Sequence, residues 1–182
     1  MGWKNVKEHY RIGHIVHVTE EGICIGSPYI NNIIVINKDG SLAKLYADGR
    51  GNNDLMRYQS EMLADRAKLI ELVNTPDTFE RSLTVYTYEN ADILEKQCEE
   101  YGWPNVTHDG MIMYENKFSP DKIITIMRAK HNAAAGVRLV SDQVRDVEEQ
   151  LKKRQSWLAA EIAFRDKLEA DYPDVQIVPE EQ

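Results

Sequence analysis

The strongest constraint on this chain lies toward its C-terminus, where Ser119-Pro120-Asp121 is followed by a helical pattern that meets no proline before Tyr172. Ser119 fits an N-cap and Pro120 the first helical position. Asp121 fits the first turn, where a carboxylate meets the positive end of the helix dipole. Val137, Val140, Val144, Val147, Leu151 and Leu158 keep an a/d repeat, but Arg154 and Glu161 fall on the same seam and Ile162 shifts it. The pattern predicts a long amphipathic helix that either packs on its own domain or pairs with a copy of itself as a homodimer. Gly136, in "NAAAGVRL", is either the C-cap of a shorter helix or a small residue where another backbone comes close.

The preceding residues alternate between β-rich runs and turn residues. "YRIGHIVHV", "ICIGSP", "IIVIN" and "SLAKLY" read as an antiparallel meander over 10–47, with Lys38-Asp39-Gly40 as its clearest hairpin turn. A helix over 53–74 is predicted from Leu55, Tyr58, Met62, Leu69 and Val73, with Asn53 or Asp54 as N-cap and Asn74-Thr75-Pro76 as the stop. A second β-meander is expected over 82–117. The expected fold is therefore α+β. A domain over 1–118 holds two antiparallel β-meanders around a central helix, a helical extension covers 119–172, and a flexible tail covers 173–182.

Composition narrows the function classes. Thirty acidic residues against 22 basic ones leave a net charge of −8, of which residues 51–118 supply −7. Such a balance repels a phosphate backbone, so direct nucleic-acid binding is disfavoured. Two cysteines are too few for a disulfide framework, and no run approaches the ~20 apolar residues that cross a bilayer. A cytoplasmic protein without membrane association is expected, which strips Asn105-Val106-Thr107 of meaning as a glycosylation sequon.

The chemistry-bearing residues concentrate in "CEEYGWPNVTHDGMIMYEN", residues 98–116. Cys98, His108 and Asp109 contain the types of a nucleophile, a base and its orienter, the basis of an alternative reading as a small hydrolase or nucleotide-processing enzyme. Against it, Asp109-Gly110 between "NVTH" and "MIMY" is a preferred two-residue hairpin loop. His14 and His17 would point to opposite faces of a strand and so make a poor metal pair. No catalytic residue, metal site or cofactor is expected. "GRGNNDL" lacks a P-loop's Lys-Ser/Thr, leaving only a nucleotide-sponge reading in which Arg50 or Arg57 faces an anion. Tyr86, Tyr88, Tyr101, Trp103 and Tyr114, in the most acidic part of the chain, are of the types that anchor protein interfaces. The expected partner-binding set is Tyr101, Trp103, His108, Asp109, Met111, Met113 and Tyr114, the methionines adding adaptable apolar contact.

The run "YGWPNVTHDGMIMYENKFSPDK" with a long helix behind it resembles small accessory proteins of bacteriophages and prophages. That resemblance covers residues 98–170 and is one of segment order. It implies a bacterial cytoplasm and a non-enzymatic inhibitor of a host protein or defence system, of the anti-CRISPR or anti-restriction type. It carries over no functional residue.

Overall fold

The computed structural model describes residues 1–47 and 51–175. Two compact units divide the chain, residues 1–130 and 131–182. In the first unit, helix α1 (Trp3–His9) is followed by strands β1 (Ile15–Thr19), β2 (Gly22–Gly26), β3 (Ile34–Ile36) and β4 (Leu42–Lys44). These form one antiparallel sheet in sequence order. Helices α2 (Asn53–Ala64) and α3 (Arg66–Asn74) come next. They are followed by the hairpins β5 (Leu83–Glu89)/β6 (Asp92–Cys98) and β7 (Asn105–Val106)/β8 (Ile112–Met113). Helix α4 (Lys122–Asp171) begins in this unit and continues into the second. The fold is α+β with antiparallel sheets and a long C-terminal helix.

The predicted strand from Tyr10 starts five residues late, because the chain leaves α1 through a helix-ending motif. Arg11 adopts φ 49°, its N–H donates to Glu8 O at 3.2 Å, and the Ile12 N–H donates to Lys7 O at 2.9 Å. This is a Schellman arrangement with arginine where glycine is usual. Tyr10 and Ile12 still enter the core, from a helix end rather than a strand.

The single helix expected over 53–74 is two. Asp65 closes α2, its N–H reaching Glu61 O at 3.2 Å, and opens α3, its carboxylate accepting the Lys68 N–H at 2.9 Å. The break falls where the apolar face carries charge: after Leu55, Tyr58 and Met62 the next core positions are Asp65 and Arg66, and Leu69, Leu72 and Val73 of α3 are again buried. The N-cap of α2 is Asn52, whose side chain accepts from Leu55 N, rather than Asn53 or Asp54. At α4, likewise, Asp121 rather than Ser119 is the cap. Its carboxylate accepts the Ile123 N–H at 2.7 Å, while Ser119 forms a β-bridge with Tyr86. Ser119 is thereby committed to the sheet side of the junction.

The main core gathers Trp3, Val6, Val16, Ile23, Ile25, Ile34, Ile36, Tyr58 and Leu69, among others, between the sheet and α1–α3. A smaller cluster of Val85, Cys98, Met113 and Phe118, edged by Leu83 and Trp103, joins the two hairpins. β2 is buried at every position, so Cys24 on its second face is enclosed as fully as Ile23 and Ile25. Gly40 closes the β3–β4 turn at φ 74°, with its α-carbon so close to Ile70 of α3 that a Cβ would lie 2.5 Å from Ile70 Cγ1. Gly136 ends nothing: α4 runs through it, and among the described residues nothing outside the adjoining turns of the helix lies within 4 Å of where its Cβ would be. No helix among the described residues is long and apolar enough to cross a membrane.

Candidate functional site

The 98–116 stretch is a strut within the first unit. Its loop is not the expected two-residue Asp109-Gly110 turn. The pairing continues past Val106, with Thr107 N–H donating to Met111 O at 2.9 Å, leaving the three-residue loop His108-Asp109-Gly110. Gly110 sits at φ 88°, the left-handed position such loops require, and its N–H donates to Thr107 O at 2.8 Å. The loop is then fastened on three sides. Val18 N–H of β1 donates to Gly110 O at 2.8 Å, His108 N–H donates to Gln97 O at 2.8 Å, and the Trp3 indole donates to His108 O at 3.1 Å. A Cβ on Gly110 would lie 2.3 Å from Val18 Cγ2, so the loop packs directly on β1.

The seven expected contact residues do not form one surface. Met113 has no exposed area and Trp103 leans on Phe118, so both serve the small core, and Met113 is corrected from a contact residue to a packing one. The Tyr114 hydroxyl donates to Asn31 Oδ1 at 3.3 Å, and the Tyr101 hydroxyl donates to Thr84 O at 3.3 Å. Asp109 accepts from Thr107 and, at 2.5 Å, from Lys96. Burial pushes its carboxyl up, but these hydrogen bonds and the Lys96 charge outweigh that and hold it below the usual range. Of the set, Tyr101, Asp109 and Met111 are exposed.

Cys98, His108 and Asp109 do not share one cleft. The Cys98 thiol is enclosed in the small core, donates to Leu83 O at 3.6 Å, and is pushed up by burial, the opposite of an activated nucleophile. His108 stacks flat on Phe79, ring centroids 3.8 Å apart. Together they line a cleft of about 540 Å³ with Trp3, Lys4, Arg81 and Glu99. Four cations (Lys4, Lys7, Arg11, Arg81) and four carboxylates (Glu8, Glu80, Glu99, Glu100) border it, so it has no charge preference. Lys4 is already engaged, donating to Glu99 at 2.7 Å and to Thr78 O at 2.9 Å. This cleft was hidden from sequence reading because the opening residues were not read as a helix. The signal was present: Trp3, Val6 and Tyr10 recur at helical spacing and are all buried.

Arg57 does not face an anion site, for its guanidinium donates to Glu61 and to Tyr10 O and lies over the Tyr58 ring. Arg50 lies outside the described residues. The His17 Nε2 is 2.9 Å from Asn31 O, whereas His14 sits edge-on to Tyr58. Among the described residues no group of three His, Cys, Asp or Glu is arranged to hold a metal ion.

The second unit offers a different kind of surface. Every described residue from Lys130 onward is exposed. The six seam residues from Val137 to Leu158 are each between 51% and 67% exposed, and Trp157, Phe164 and Leu168 add 67%, 62% and 61%. Scattered apolar residues on a surface are ordinary, whereas these recur as a periodic stripe along one helix. Comparison with family models, curated proteins and solved structures finds no match to this chain.

Proposed function

We propose that this protein is a non-enzymatic binding protein that works as a self-associated assembly. α4 holds copies together, and the 1–130 units engage a host bacterial protein. The observation that carries the reading is the exposed apolar seam of α4. Beyond His131 every described residue is exposed, and local pairs such as Asp142–Arg145 and Arg165–Glu169 contribute about 0.2–0.5 kcal/mol each. Gly136 opposes them by roughly 1 kcal/mol relative to alanine. Helices in water are stabilised mainly by packing an apolar face, and burying each seam Val or Leu contributes about 1.5–3 kcal/mol. Association is the way this helix gains that energy.

The phage accessory proteins that residues 98–170 resemble supply the setting of the proposal, a bacterial cytoplasm with a host or defence protein as target. The Thr125 hydroxyl, donating to Tyr86 O at 3.3 Å, and Arg128, donating to Phe118 O at 2.9 Å, tie the start of α4 to the hairpins. The deciding experiment is sedimentation equilibrium of the full chain. A dimer or higher assembly at micromolar concentration, reduced to monomer by Val144→Asp with Leu151→Asp, is expected. A wild-type monomer at all concentrations would sink the proposal. The host-target half fails if folded protein retains no stoichiometric partner from bacterial lysate.

A further inference from the structure

Residues seven apart on α4 lie on one line that drifts by about 20° per heptad around the helix. Beginning at Val140 that line reads Val140, Val147, Arg154, Glu161 and Leu168, and the helix ends at Asp171 before the next position. From Val147 to Leu168 the order is a palindrome with its charge inverted, apolar, cation, anion, apolar, centred between Trp157 and Leu158. The residues flanking the line change sides at the same centre. Before it they come four positions after a member of the line, as Leu151 follows Val147; beyond it they come four positions earlier, as Phe164 precedes Leu168.

A parallel, in-register pair cannot use this pattern. It would set Arg154 against Arg154 and Glu161 against Glu161, and its apolar flank would leave the interface halfway along. Reversing one helix about the centre removes both faults. Val147 then meets Leu168 of the second copy, Leu151 meets Phe164, Leu158 meets Trp157, and Arg154 meets Glu161. Two-fold symmetry makes each of these contacts twice. The charges that spoil the seam for a parallel coiled coil become the complementary pair that fixes register, because a slip of one heptad sets one charge against its own kind and the other against an apolar residue.

We infer that the occupant of the α4 seam is a second copy of this chain, bound antiparallel about a two-fold axis at Trp157 and Leu158, with Arg154–Glu161 pairs between the copies. The inference rests on the self-association proposed above and adds its polarity and register.

Full-length chains carrying Leu151→Cys or Phe164→Cys test it, since Cys24 and Cys98 are buried and serve as the internal blank. Mild oxidation of the mixture is expected to give a covalent dimer, and neither variant alone should give one. Efficient self-cross-linking of Leu151→Cys alone would mean parallel helices and overturn the inference. Charge exchange supplies an independent arm. Arg154→Glu and Glu161→Arg should each weaken association by on the order of tenfold, and the double exchange should restore it. A double variant no better than the singles overturns the inference as well. These outcomes are separable from failure of the broader reading, which shows as a wild-type monomer; an intact dimer with the wrong cross-link leaves self-association standing and removes only the antiparallel register.

Discussion

Residues 1–130 and the helix beyond them use the same side chains to opposite ends. Val16, Ile23 and Ile25 have no exposed area, whereas Val137, Val147 and Leu158 are each more than 60% exposed. Residue type does not separate them. In the first unit each apolar residue meets another segment of the same chain, brought there by strand pairing and by the breaks at Arg11 and Asp65. Along α4 beyond Lys130 the apolar residues recur at helical spacing and every described one is exposed. The comparison teaches that a hydrophobic pattern specifies a face, while the identity of what covers that face is a separate question.

The sharpest way to break the contrast is to charge the seam. Val144→Asp with Leu151→Asp should abolish the assembly and lower helical ellipticity while leaving the unfolding transition of the first unit in place. The loss is about 1.5–3 kcal/mol for each side chain, read from sedimentation beside chemical denaturation. A matched truncation in the main core should behave in the reverse way. Ile25→Ala is expected to cost about 2–5 kcal/mol of stability in denaturant titration with no change in oligomer mass. Gly110→Ala should cost roughly 1–3 kcal/mol, because alanine is strained in the left-handed region and its methyl meets Val18.

The smallest effect is electrostatic and confined to the first unit. At Glu99, burial raises the pKa, but the hydrogen bond and charge of Lys4 and the Glu80 N–H more than offset this and leave it lowered. A lowered carboxyl contributes stability above its ordinary pKa and loses it as pH falls through the lowered value. At Lys4, burial works downward, but Glu99 and Glu8 leave the net shift upward. That contribution is present below the ordinary lysine value and is lost as pH rises through the raised one. Lys4→Met should therefore flatten both limbs of the stability profile, by no more than about 1 kcal/mol because Glu99 is partly exposed. The seam variants should leave this profile unchanged.

Much of the architecture was legible in the sequence. The β1–β4 meander, its Lys38-Asp39-Gly40 turn and the long final helix follow from alternation, turn chemistry and the absence of proline. What escaped reading depends on position in space. Arg11 carries no sequence mark of a left-handed residue, so the end of α1 looked like the start of a strand. Asp65 caps a helix where the apolar face is interrupted by Asp65 and Arg66, yet Met62 and Leu69 stay in phase across it, so the spacing alone read as one helix. The 98–116 stretch was read as an exposed recognition loop because its residue types suit one. Met113 and Trp103 instead close a small core, and Gly110 is pressed against Val18. No local pattern could place Phe79 flat on His108, since that contact joins segments far apart in the chain.

The two enclosed cysteines give the molecule an internal clock. Burial pushes both thiols up, Cys24 in the middle of β2 and Cys98 in the cluster that joins the hairpins. A thiol that is neither ionised nor accessible reacts with an alkylating reagent only while its surroundings are open. The labelling rates of Cys24 and Cys98 would thus time the opening of the sheet and of the hairpin cluster separately. Whether those rates agree would tell whether the first unit opens all at once or in two stages.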